Sequence, residues 1–296
     1  MSLEVGSATN DKANKQQMAH SAHSLIDGQR PGRSLDVDAF KRALAEDGYV
    51  VFKNVVSPER LSRLAGKIAE EFTRAKAAGE LFSGGGLFSG HLNCFPGEES
   101  RFAYEAIQSA GIVDLIRMVF PKAQRPPNVG CNLNLPGSVA QHYHADRNFI
   151  DNFMIANVAV VDTDLTNGAI DLLPGTHKKF YKYWRFAIER SDRLSTRVPM
   201  RQGDVLVRNS NVWHRGMPNH TSVPRPMVAF TWEDGGSLHS DPFAVDEGKI
   251  AFRTNWFRPN FAGRLRERTF VTAPVTYSAY RFVSSLFDGS KGYDRQ

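Results

Sequence analysis

Cysteine is scarce in this chain: Cys94 and Cys131 are the only two among 296 residues. Two thiols cannot staple a small fold, so a disulfide scaffold is excluded and a reducing compartment is the default. No stretch approaches the roughly eighteen uninterrupted apolar residues of a membrane-spanning helix. The opening residues also lack the apolar run of a secretory leader. Met1 to Arg33 is rich in Ser, Asn, Lys, Gln and Gly, and reads as a mobile tail. These absences together predict a cytoplasmic protein. Zinc-finger spacing and RNP-like aromatic motifs are missing too, so no nucleic-acid partner is expected.

Net charge is missing from most of the chain. The total is +6, and Lys249 to Gln296 holds nine Lys/Arg against three Asp/Glu, so Met1 to Gly248 sums to zero. The basic segment reads first as a solvated Arg-rich surface. Its alternative is a patch for an anionic substrate or a lipid headgroup, with peripheral membrane contact. The sequence sets no oligomeric state.

Hydrophobic residues make up 41% of the chain, enough for one large domain with a real core. We divide the chain into the tail (1–33), a main domain (34–248) and the basic C-terminal segment (249–296). Leu35 to Asp47 reads as a helix started by Asp36 or Asp38 and closed by Gly48. Tyr49 to Phe52 is a short buried strand. Ser57 is the expected cap of a second helix, with Pro58 at its first position, running to Ala78. Leu81-Phe82-Ser83-Gly84 recurs as Leu87-Phe88-Ser89-Gly90, a duplication too short for a repeat fold. It reads as a loop, either packing its own Phe residues or covering a substrate.

Strand patterns follow Pro126-Pro127. Val129, Cys131, Leu133 and Leu135 fall on one face, Asn132 and Asn134 on the other. Further strands are predicted at Gln141–Asp146, Phe153–Val161, Gly168–Leu173, Gly203–Val207 and Met227–Trp232. Short strands with Gly/Pro/Asn turns, preceded by helices, predict a mainly β fold with flanking helices: a double-stranded β-helix, or cupin-like jelly roll. Ala273 to Phe287 has the spacing of a helix with a broad apolar face, expected to dock on the domain. A membrane-surface helix is its alternative.

His144-Ala145-Asp146 carries the chemistry. On an extended strand His144 and Asp146 share a face, and a distant His214 completes two imidazoles and one carboxylate. That set forms the facial triad of non-haem Fe(II), with open positions for cosubstrate and O₂. Arg225, on the strand after His214, can clamp a carboxylate. His142 lies on the same strand face as His144, and a His142–His144 pair is the alternative metal site, of the cupin kind. His177, in a Pro-Gly-Thr-His turn, reads as structural, and Asn167-Gly168 as a turn. Arg215 is either a support for the metal ligands or a solvated cation. Lys178 to Phe186 interleaves aromatic and basic residues, as a rim of the site or as ordinary packing.

Taken in order, Gln141-His142-Tyr143-His144-Ala145-Asp146, Thr166 to His177, Gly203-Asp204, Trp213-His214-Arg215-Gly216, and Asn219-His220-Thr221 to Pro224-Arg225 resemble the phytanoyl-CoA dioxygenase family of Fe(II)/2-oxoglutarate oxygenases. The resemblance covers roughly Asp36 to Trp232. It implies Fe(II) on His144, Asp146 and His214, 2-oxoglutarate and O₂ as cosubstrates, and Arg225 on the distal carboxylate of 2-oxoglutarate. Gln141 and Asn132 are further expected cosubstrate contacts. Asn134, Arg147, Phe88, His91 and Trp184 are expected to meet a small-molecule substrate. Halogenases of this family carry a small residue in place of the carboxylate, whereas Asp146 is retained here, so hydroxylation of an unactivated C–H bond is expected. The alternatives are a cupin-like metal-dependent isomerase or lyase that does not use 2-oxoglutarate, and a non-catalytic binding or membrane-surface protein on the same fold.

Overall fold

A computed structural model describes residues 36–81, 86–180, 182–253 and 260–287, together with the backbone of residues 25–27. Within the stretch read as a tail, Leu25–Asp27 forms strand β1; the rest of residues 1–35 lies outside the described residues. Asp36 accepts a hydrogen bond from Ala39 N at 2.8 Å and caps helix α1, Val37–Glu46. Phe40, Ala43 and Leu44 are the face it buries. Gly48 then adopts φ +81°, where a Cβ would lie 2.4 Å from His177 Nδ1. His177 thus packs behind this turn. The chain continues into β2, Tyr49–Lys53, parallel to β1.

Ser57 makes no cap hydrogen bond, contrary to expectation. Pro58 starts α2, Pro58–Ala77, unaided: its φ is preset and it has no N–H to satisfy. Of the duplicated loop, residues 82–85 lie outside the described residues. The second copy is a turn leading into β3, His91–Phe95, a strand the pattern reading did not separate from the loop. Helices α3, Arg101–Ser109, and α4, Ile112–Val119, come next.

The remaining strands are β4 (Asn128–Asn134), β5 (Met154–Ala159), β6 (Ile170–Leu172), β7 (Thr196–Val198), β8 (Val205–Asn209), β9 (His214–Arg215), β10 (Arg225–Thr231) and β11 (Ala251–Arg253). The large sheet has the order β1-β2-β8-β5-β10-β4-β3-β11; the small one is β7-β6-β9. Every pair except β1·β2 is antiparallel. The two sheets form an open jelly roll rather than a closed barrel.

Alternation along each strand sends neighbours to opposite faces. On the outer face of the large sheet, Val50, Phe52, Val158, Val205, Val207, Val228 and Phe230 pack with Phe40, Leu61, Ile68, Ile107 and Ile116 of the helices into the main core. On the inner face, Tyr49, Val51, Ala159, Leu206 and Met227 meet Ile170, Leu172 and Val198 of the small sheet. This second core fills only part of the space between the sheets. Asp204 ties the start of β8 to β2: it accepts from Lys53 Nζ (2.7 Å), Asn54 N (3.0 Å) and Arg201 N (2.8 Å). That accounts for the Gly203-Asp204 pair. Cys94 and Cys131 are buried, free, and directly paired across β3 and β4.

Beyond α5, Tyr183–Ile188, the last described helices are α6, Phe261–Thr272, and α7, Pro274–Phe287. They rest on the segment around His142. Arg281 Nη2 donates to Tyr143 O at 3.0 Å and its guanidinium lies 4.0 Å from the Tyr183 ring centroid. Phe270 and Tyr277 flank the His142 ring at 5.6 and 5.5 Å between centroids. No helix among the described residues is long and apolar enough to cross a membrane.

Candidate metal centre

The expected strand at Gln141–Asp146 is reduced to a single bridge. His144 and His214 exchange both backbone hydrogen bonds, each 2.9 Å. Gln141 N donates to Gly216 O (2.8 Å) and Asp146 N to Ser210 O (3.1 Å), so the segment stays extended beside residues 210–216 without a regular ladder. His144, Asp146 and His214 thereby converge, one ligand atom from each lying within 4.8 Å of the others. Asp146 Oδ1 is 3.5 Å from His214 Nε2.

Backbone carbonyls orient both imidazoles. His144 Nδ1 lies 2.9 Å from His142 O and His214 Nδ1 lies 3.0 Å from Val212 O. A proton on each Nδ1 leaves each Nε2 lone pair for a metal. Burial pushes the His214 imidazole down to about 3, helped by the Arg208 charge, and lowers His144 as well. Both are neutral ligands at ordinary pH. For Asp146 burial acts upward, but Arg208, His214 and His144 outweigh it and hold the carboxyl below the usual range. The donor set, its spacing and the tautomers all fit one divalent ion.

Arg208 joins this site from outside the set of residues expected there. Buried on β8, it donates from Nη1 to Asp146 Oδ2 at 2.7 Å and from Nε to Asn157 Oδ1 at 3.2 Å. One carboxylate oxygen is thus occupied by Arg208 and the other left toward the histidines. An Arg closing the apolar run Val205-Leu206-Val207 was a legible signal, because a buried cation needs a counter-charge. Asp171 is a second such residue. It is buried and accepts from Tyr143 OH (2.7 Å) and Arg215 Nε (3.0 Å), while the Arg215 guanidinium lies 4.1 Å from the Tyr143 ring centroid. Tyr143 and Arg215 adjoin His144 and His214, so this knot clamps both ligand-bearing segments to β6. Arg215 is therefore a brace rather than a solvated cation. The Pro-Gly-Thr-His turn adds a further hold: Thr176 Oγ1 accepts from Trp213 N at 2.9 Å.

The triad opens on a cavity of about 480 Å³ between the sheets. Arg225, Asn132, Gln141 and His91 line it with the three ligands. Arg225 is 3% exposed. Its Nη2 donates to Gly168 O at 3.2 Å, and its Nε has no partner among the described residues. Burial lowers its pKa only to about 10, so it remains a cation at neutral pH. No carboxylate of the described residues pairs with it. Gly168, at φ +90°, has no space for a side chain: a Cβ would sit 2.5 Å from Asn134 Nδ2 and 2.6 Å from Met217 O. The Asn-Gly turn therefore shapes the wall beside Arg225.

Expected substrate contacts fare unevenly. His91 is buried in the cavity wall, its Nε2 2.8 Å from Val139 O, and burial pushes it down to about 4. Asn134 is buried beside the cavity and donates to Met217 O at 2.9 Å. Arg147 is turned to Glu233 (2.5 Å) and Asp234 (2.9 Å), of which Glu233 lines the cavity. Phe88 does not line it: it stands 56% exposed on its turn. Nor does Trp184, whose helix faces α7, with its backbone N donating to Ser285 Oγ at 2.9 Å. His142 packs among Phe270 and Tyr277 and is not part of the ligand cluster.

The family model for phytanoyl-CoA dioxygenase matches residues 44–227, which hold the whole small sheet, the three triad residues and Arg225, while β1, β11 and most of β10 lie outside the match. The chain belongs to the phytanoyl-CoA dioxygenase family. The cofactors of that family are Fe(II) with 2-oxoglutarate and O₂, and the triad fits the metal. Among solved structures the chain resembles AviO1 from Streptomyces viridochromogenes Tue57, at 20% identity and a TM-score of 0.51. That match covers 67% of this chain and 95% of AviO1. EvdMO1 is similar at 17% identity and a TM-score of 0.52, over 67% of this chain and 50% of that one. Both are likenesses of fold.

Proposed function

We propose that this member of the family hydroxylates an unactivated C–H bond of a small-molecule, lipid or sugar-type substrate, using 2-oxoglutarate and O₂. The observation that carries the reading is the buried Arg225 guanidinium, without a counter-charge among the described residues, in the same cavity as an intact His-Asp-His triad. A buried cation left unpaired is costly, so a site of this kind is completed by an anionic ligand.

His144 and His214 would hold the iron through Nε2 and Asp146 through Oδ1. When bound, iron with 2-oxoglutarate and O₂ supplies an oxidant strong enough for an unactivated C–H bond, with succinate and CO₂ as by-products. Arg208 occupies Asp146 Oδ2, so that Oδ1 is the oxygen Asp146 would offer to the metal. Arg225 would receive the distal carboxylate of 2-oxoglutarate, with the Gly168 carbonyl fixing the orientation of its guanidinium. Asn132 and Gln141 supply neutral polar contacts on the same wall. Ile170 and Met227 make an apolar floor that limits water. Asp146 itself supports oxygen transfer over halogenation, because the position a halide would take is filled by a carboxylate.

Anaerobic addition of Fe(II) and then 2-oxoglutarate is expected to give a visible metal-to-ligand charge-transfer band. A metabolite panel under O₂ is then expected to release succinate with one product gaining a single oxygen. Succinate release with an isomerised or cyclised product would overturn hydroxylation and keep the cofactors. Absence of the charge-transfer band would overturn the cofactor assignment itself.

A further inference from the structure

Helix α7 is built inside out. Its only charged side chain, Arg281, is buried, as is Ser285, and both are spent on backbone groups of the domain. Tyr277 completes that inward face. The opposite face carries Val275, Ala279, Tyr280, Val283, Leu286 and Phe287. All are exposed, Val275 by 81% and Phe287 by 83%. The apolar spacing predicts a helix docked by its broad apolar face; of that face Tyr277 is buried and Phe282 half-buried, and the rest points to solvent. Isolated exposed apolar residues are ordinary, but a contiguous helical face of them marks a binding surface.

Neighbouring α6 adds charge. Phe261 and Leu265, one turn apart, are exposed by 75% and 53%. Arg264 and Arg268 flank that stripe on one side and Arg266 on the other, all exposed. No ion pair among the described residues engages these three. The single acid of the helix, Glu267, is buried and accepts from Ser89 N at 2.9 Å. The exposed charge of the helix pair is therefore +3, from three Arg and no exposed Asp or Glu.

We propose that α6 and α7 form a docking surface for an anionic lipid bilayer. An apolar face flanked by Arg is the pattern of a helix lying in the membrane interface, with rings and aliphatic chains among the acyl groups and guanidinium groups among the phosphates. Charge decides between occupants. A two-fold pairing of this face would gather the arginines of both copies around one interface, where they repel. An anionic headgroup layer neutralises them.

Flotation of the full chain with vesicles tests this. Binding is expected to vesicles of phosphatidylcholine with phosphatidylserine, not to phosphatidylcholine alone, and to be released by high salt. Combined replacement of Arg264, Arg266 and Arg268 by Gln should weaken it about a hundredfold. Val283→Asp should abolish it without shifting the thermal midpoint, since that side chain touches solvent. Val283→Cys, labelled with an environment-sensitive fluorophore, gives a second readout, because both native cysteines are buried. Its emission should brighten and shift to the blue on anionic vesicles. Absence of flotation would overturn the proposal, as would binding indifferent to lipid charge. So would a dimer in sedimentation velocity that Val283→Asp splits while vesicles bind nothing.

Discussion

Along β10, Val228 and Phe230 point outward while Arg225, Met227 and Thr231 point inward. The same division runs through the neighbouring strands. Outward lie Cys131, Leu133, Ala156, Val158, Val205 and Val207, closed over by four helices. Inward lie Asn132, Asn157, Arg208 and Arg225, polar groups whose partners are few and individual. The outer face is a dense apolar layer in which loss of volume is felt as stability. The inner face gives up part of its packing to keep a cavity, and holds its arginines by one or two hydrogen bonds each. Stability and chemistry are thus segregated to the two sides of one sheet, one residue apart in sequence.

This contrast can be broken from either side. His214→Ala should leave the fold intact and abolish Fe(II)-dependent 2-oxoglutarate turnover; full turnover would remove His214 from the metal site. Phe230→Ala, a few residues from Arg225, should do the reverse. We expect a loss of about 3–5 kcal/mol in denaturant unfolding, with Fe(II) affinity retained at low temperature. Arg225→Ala should weaken 2-oxoglutarate binding by about a hundredfold, near 3 kcal/mol, measured anaerobically with Fe(II) held saturating. Arg208→Met should lower Fe(II) affinity about 10- to 100-fold; unchanged affinity would reduce its contact with Asp146 to ordinary packing.

Acid sharpens the comparison further. His91 and His214 are neutral in the fold, brought down to about 4 and about 3, chiefly by burial. In the unfolded chain they titrate near their usual value of about 6.5. Protons therefore bind the unfolded chain first. Stability present above about pH 6.5 is lost as pH falls toward those folded values, with roughly 2 kcal/mol from His91 by about pH 5. Thermal midpoints of the metal-free protein should decline over that window. His91→Gln should flatten the decline.

Much of the metal site was legible because its logic is local. His144 and Asp146 share a face by strand alternation alone, and the Asn-Gly and Pro-Gly-Thr-His turns announce themselves by residue type. The alternation at 129–135 correctly separated Cys131 and Leu133 from Asn132 and Asn134. Arg208 and Asp171 escaped because their roles depend on partners 62 and 44 residues away. Phe88 and Trp184 were placed at the substrate by composition, which says nothing of direction. β3 has no legible strand signal, since five residues beside a Gly-rich turn give little periodicity.

The C-terminal helices mark the limit most clearly. The sequence alone determined that Ala273–Phe287 is helical and amphipathic, that a His-x-Asp pair faces one way, and that a distant His and Arg stand ready to join it. These follow from the fixed periods of helix and strand. Only the tertiary structure decided that the polar side of α7 is the buried one, because Tyr143 O and Trp184 N offered partners that Arg281 and Ser285 could satisfy. It also decided which cation would hold Asp146. Periodicity defines faces, and which face turns inward depends on what the rest of the chain places opposite.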